Sequence, residues 1–156
     1  MRQPHSERTL RAAPRQLPWM VLLCVLLAAC FPAEVGAAES GVGRFHDLFN
    51  AGRFHEIYVT ADTDFRRITS EDEWMVLLDK VRTKLGRLES SNQRAVDVVK
   101  ANEIVTVTLA YTTLFSEGAA DEEFTFVVRS GDPILRGYRI ASSLLSASRH
   151  DLVMAW

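Results

Sequence analysis

The hydrophobic period of this chain changes once, from near four to two, just after Arg87. Before that point Trp74, Leu77, Leu78, Val81 and Leu85 recur at helical spacing, and Gly86 stops the pattern. Ser70 with Glu73 forms a capping box, and Glu71 and Asp72 place negative charge at the positive end of the helix dipole. Upstream, Phe45, Leu48 and Phe49 share a helical face that Gly52 ends, and Phe54, Ile57 and Tyr58 predict a second, short helix. Beyond Arg87, Val105, Val107, Leu109, Tyr111 and Phe115 alternate with Thr106, Thr108 and Thr112, which predicts a long strand with one apolar face. Val96 and Val98 mark a strand before it, with its turn within 100–103; Phe124, Phe126 and Val128 mark one after it. Turn residues at 118–121 and 130–133 separate these from a last strand over 134–142. The expected fold is α+β, with N-terminal helices packed on one face of a curved antiparallel sheet of about four strands.

The first 29 residues read as an export leader. Arg2, Arg8, Arg11 and Arg15 stand against one acid, Glu7, and precede an apolar run from Trp19 to Phe31. That run is about 13 residues, short of the roughly 20 a membrane-crossing helix needs, so a cleaved signal fits it better than a permanent span. Leu27, Ala28, Ala29 and Cys30 resemble a lipobox, which makes residues 1–29 a lipoprotein-type signal peptide and Cys30 the lipid-attachment residue. Gly36, Ala37 and Ala38 offer ordinary secretory cleavage after residue 38 as the alternative. Residues 30–42 read as a tether, 43–142 as the folded domain and 143–156 as an apolar tail. That tail either folds back as a helix or serves as a docking patch.

Charge and cysteine usage narrow the function classes. Removing residues 1–29 takes away four arginines and one glutamate, so the formal net charge moves from −2 to about −5. Nucleic-acid binding needs clustered positive charge and is not expected. The only cysteines are Cys24 and Cys30, so the processed protein has no internal disulfide and no cysteine nucleophile beyond the leader.

The string Phe49, Asn50, Ala51, Gly52, Phe54, Ile57, Tyr58, then Phe65, Thr69, Trp74, Leu77, Arg82, Leu85 and Gly86, is followed by Tyr111, Thr113, Phe115, Gly118, Glu122, Phe124, Gly137, Tyr138, Arg139 and Ile140. This pattern, covering roughly residues 43–142, resembles small exported bacterial proteins of unknown function in the nuclear transport factor 2-like superfamily. The resemblance implies a cone of helices over a sheet, with a pocket at its open end that some relatives use for ligands, some for catalysis and some for dimerisation.

No residue pattern in the chain dictates a particular chemistry. If the domain resembles ketosteroid isomerase in activity, an acid in an apolar pocket would be the base, and Asp97 and Glu103 are the acids to consider. Asp97 alternates with Val96 and Val98 and is expected to face solvent, and Glu103 to sit in a turn. Asp62 and Asp64 are expected in a loop between helices, solvated or capping. His46, His55 and His150 lack metal-ligand spacing, and neither a metal nor another cofactor is expected. Trp74, Tyr111, Phe115, Phe124, Phe126 and Tyr138 should gather between helix and sheet as core or as a ligand pocket. Arg129 and Arg139 are expected on the surface. The sequence thus points to an exported, lipid-anchored, non-enzymatic domain on the periplasmic side of a bacterial membrane. Its expected partner is an envelope protein or a small apolar ligand. Homodimerisation through the sheet is a further possibility, and a soluble periplasmic or secreted protein, or a small pocket enzyme using Asp97 or Tyr138, is the alternative.

Overall fold

The computed structural model describes residues 31–146 and the pair Val153–Met154. The leader 1–29, Cys30, His150 and most of the tail lie outside the described residues. The compact unit begins at Phe31. Its elements are α1 (Phe31–Asn50), α2 (Phe54–Val59), α3 (Thr63–Ile68), α4 (Glu71–Leu85), β1 (Leu88–Ala101), β2 (Ile104–Phe115), β3 (Gly118–Arg129), β4 (Asp132–Ala141), α5 (Ser143–Ser146) and β5 (Val153–Met154). The sheet is antiparallel throughout, in the order β1-β2-β3-β4-β5.

The stretch read as a tether is the first half of α1. Ala and Gly composition suggested a flexible linker, yet Val35, Ala38, Val42, Phe45 and Phe49 fall on one helical face and pack into the core. Ala38 is 0 % exposed. The small residues serve close approach: a Cβ on Gly41 would stand 2.8 Å from the Phe126 ring. The helix ends in a Schellman motif, in which Gly52 N–H donates to Phe49 O at 3.0 Å and Arg53 N–H to Leu48 O at 2.9 Å. Gly52, at φ 71°, takes the left-handed position.

Two short helices follow instead of one. Phe54 and Ile57 anchor α2, whereas α3 buries only Phe65, too little apolar repeat to register as a helix in sequence. Asp62 is its N-cap, accepting from Asp64 N–H at 2.9 Å, so Asp64 lies within a helix and not in the expected loop. The α4 helix carries the expected capping box and buries Trp74, Leu77, Leu78, Val81 and Leu85. Side chains of this size stabilise the fold by about 1.5–3 kcal/mol each when fully removed from water. Arg82 of α4 donates to Phe49 O and Asn50 O, and the Asn50 amide bonds both N–H and C=O of Leu88. These bonds join the end of α1 to α4 and to the start of β1.

Two-residue turns at Asn102–Glu103, Ser116–Glu117 and Ser130–Gly131 connect the four long strands. The register shifts between Thr125 and Phe126, which pair with Gly137 and Leu135 and leave Arg136 as the extra residue on β4. This bulge places both Leu135 and Tyr138 on the core side, although they are an odd number of residues apart. After β4 the chain makes the short helix α5, with Leu145 buried. The fold-back expected as a helix returns, where it is described, as β5 against Tyr138 and Arg139, using the open edge of β4.

Gly86 ends α4 at φ 81°, ψ −148°, a region essentially restricted to glycine, and a Cβ there would meet Ser116 Oγ at 2.0 Å. Gly86→Ala is expected to lower unfolding free energy by about 1–3 kcal/mol in urea titration.

Candidate functional site

Four buried polar side chains from four elements meet between α1 and the sheet. Alternation along β2 sends Thr113 inward with Tyr111 and Phe115, and along β3 sends Glu122 inward with Ala120 and Phe124. The β4 bulge brings Tyr138 in beside them, and His46 descends from α1. Glu122 is 2 % exposed and accepts three hydrogen bonds: Tyr138 OH donates to Oε1 at 2.6 Å, Thr113 Oγ1 to Oε2 at 2.5 Å, and His46 Nε2 lies 3.0 Å from Oε2.

Burial pushes the Tyr138 phenol well above its ordinary value of 10.0, and the charge of Glu122 and the hydrogen bond to it add to the rise. Tyr138 is therefore a firmly neutral donor at physiological pH. Tyr111 also moves up, through burial and then Glu39, and its hydroxyl donates to Gln93 Oε1 at 3.0 Å. Aromatic rings close over the polar group: Phe45 and Phe124 lie 4.8 and 5.1 Å from the Tyr138 ring, and Trp74 stands edge-on at 5.8 Å. Trp74 Nε1 is buried and finds no acceptor among the described residues, so the indole acts here as an apolar plate. An acid, an imidazole and a phenol in contact are the components of general acid–base chemistry, and here they are buried and hydrogen-bonded to one another.

The six aromatic residues singled out in the sequence, Trp74, Tyr111, Phe115, Phe124, Phe126 and Tyr138, lie in one buried cluster. Asp97 is exposed and pairs with Thr108 on the outer sheet face, the face opposite Tyr138, so these two do not share a site. Glu103 occupies the β1–β2 turn. Asp62 also faces Arg129 at 3.4 Å, Asp64 bonds Arg136 and Arg67, and His55 pairs with Glu71 on the surface. Among the described residues no group of three or more His, Cys, Asp or Glu is placed to hold a metal ion. In the sequence Glu122 stands out only within the resemblance, and His46 only as a histidine without metal-ligand spacing. The signal available was an acid at an inward-alternating position of β3, between Ala120 and Phe124.

A large concavity lies mostly along the outer face of the sheet beside α5, and its lining also includes Ala120, Glu122 and Ile140 of the inward face. A cleft of about 790 Å³ opens over Ala110, Ala119 and Ala141, whose small side chains leave the sheet surface low. Two ion pairs border it, Arg94–Asp121 at 3.2 Å and Arg139–Glu123 at 2.7 Å, and Thr112 donates to Asp121. The serines of α5 form one wall. No protein-family model matches the chain, and no curated protein matches it.

Removing the carboxylate leaves three donors without their acceptor, so Glu122→Ala is expected to lose about 3–5 kcal/mol in chemical denaturation. Asp97→Asn, at an exposed site, should change stability by no more than about 0.5 kcal/mol in the same assay. Above pH ~10 the unfolded chain releases the Tyr138 proton while the folded chain retains it, so stability falls as pH rises through that range. Denaturation between pH 9 and 12 should show this decline, with a shallower slope for Tyr138→Phe.

Proposed function

We propose that the processed protein begins at Cys30 as a lipid-anchored domain on the periplasmic side of a bacterial membrane and acts by binding, not by turnover. The observation that carries this reading is the continuity of α1 from Phe31 through Asn50, with Ala38 fully buried. Cleavage after residue 38 would cut that helix and remove the packing of Val35, Ala37 and Ala38 against the core. Cleavage before Cys30 leaves every described residue of the domain in place. The acylated cysteine would then hold the protein on the membrane, with each buried methylene contributing about 0.8 kcal/mol.

Binding is favoured over catalysis because the carboxylate, imidazole and phenol are buried and hydrogen-bonded to one another, while the open concavity is bordered by ion pairs. Its polar rim and alanine floor suit a polar surface of an envelope protein better than a small apolar ligand. The superfamily resemblance agrees with helices laid over one sheet face.

Intact mass and fractionation of the protein expressed in a bacterium test the reading. The expected species is membrane-bound, starts at Cys30 and carries added acyl mass, and Cys30→Ser should abolish that mass and accumulate precursor. A soluble, unmodified chain starting at Glu39 would overturn it.

A further inference from the structure

Resting on the lipid-anchor reading, we infer that the domain stands on the phospholipid bilayer through one particular end, formed by the first turn of α1 and the β1–β2 and β3–β4 turns. Cys30 and Phe31 are adjacent, and Phe31 already belongs to α1, so no linker separates an anchor at Cys30 from the folded domain. Three peptide units join Cys30 to Ala33, a reach of at most about 11 Å. Ala33 and Glu34 in turn share a depression of about 410 Å³ with Lys100, Asn102, Glu103, Ser130 and Gly131. The two hairpin turns therefore lie at the anchored end of the domain.

The surface at this end suits that position. Val99 and Ile104, flanking the β1–β2 turn, are 54 % and 42 % exposed, which places apolar side chains where the headgroup boundary would take them up. Among the described residues Glu34 Oε2 is buried with no hydrogen-bond partner, and Glu103 lines the same depression. Among the described residues the depression is lined by Glu34 and Glu103 against Lys100, so this lining offers no cationic patch that would require anionic lipid. The outer cleft lies toward the other end of the same strands. From Ile104 to Thr112 along β2 is roughly 27 Å at about 3.4 Å per residue, which sets the cleft well clear of the headgroups.

Once Cys30 is a thioether and the leader with Cys24 is gone, the protein has no free thiol, so a single introduced cysteine can be labelled. Lipidated Glu103→Cys and Ser143→Cys proteins, at exposed positions of opposite ends, would each carry an environment-sensitive fluorophore. They are reconstituted into phosphatidylethanolamine/phosphatidylglycerol and into phosphatidylcholine vesicles containing shallow spin-labelled lipid. Lys100→Cys and Ser146→Cys provide a second pair should either variant fail to fold.

The expected result is quenching at 103 at least threefold stronger than at 143, in both lipid mixtures, weakened by Val99→Ser with Ile104→Ser. Equal quenching at both positions, or stronger quenching at 143, in protein of verified acyl mass overturns this inference and leaves the anchor reading standing. A chain that carries no acyl mass overturns both.

Discussion

A carboxylate in a protein interior is tolerable only where donors surround it, and in this domain the surrounding sets the architecture. Glu122 draws one donor from each of α1, β2 and β4 to a position on β3. Slipping the β2–β3 pairing by one residue would turn Glu122 out to solvent and bury its neighbour Asp121 or Glu123 without partners. Rotating α1 would withdraw His46 and leave an acceptor short. The apolar core supplies most of the driving force, but it tolerates many arrangements of similar volume. The polar group discriminates among them, which makes it a device for register and helix orientation.

The same hydrogen bonds tie the carboxylate, the imidazole and the phenol to one another in the buried interior. Both oxygens of Glu122 are engaged, and the phenol beside it is driven away from the physiological range. The polar outer cleft is the contrasting surface: its charges are paired across strands and remain accessible to solvent.

What could be read in the chain was what depends on near neighbours. The capping box of Ser70 and Glu73, the stop at Gly86, the alternation of β2 and the hairpin order all follow from residues a few positions apart, and the structure has them. The helical identity of residues 33–42 was obscured because Gly36, Ala37, Ala38 and Gly41 have a linker's composition, although Val35, Ala38, Val42, Phe45 and Phe49 already held a helical period. The meeting of His46, Thr113, Glu122 and Tyr138 was harder to foresee. It depends on strand register, on a bulge at Arg136 that shifts the parity of β4, and on the placement of a helix 76 residues before its carboxylate partner. None of these has a local signature. Asp97 attracted attention for its valine neighbours, but period-two alternation placed it outside.

The distance between α1 and its partners also bears on how the chain matures. Three successive two-residue turns let β1 to β4 pair with immediate neighbours, a local and therefore fast process. The helix whose Ala38, Val42, Phe45 and Phe49 fill that sheet is made first and needs residues as late as Tyr138 before it can be covered. Until β4 has been made, those apolar side chains lack the surface that covers them in the folded unit, and an exposed apolar face of that kind is prone to aggregate.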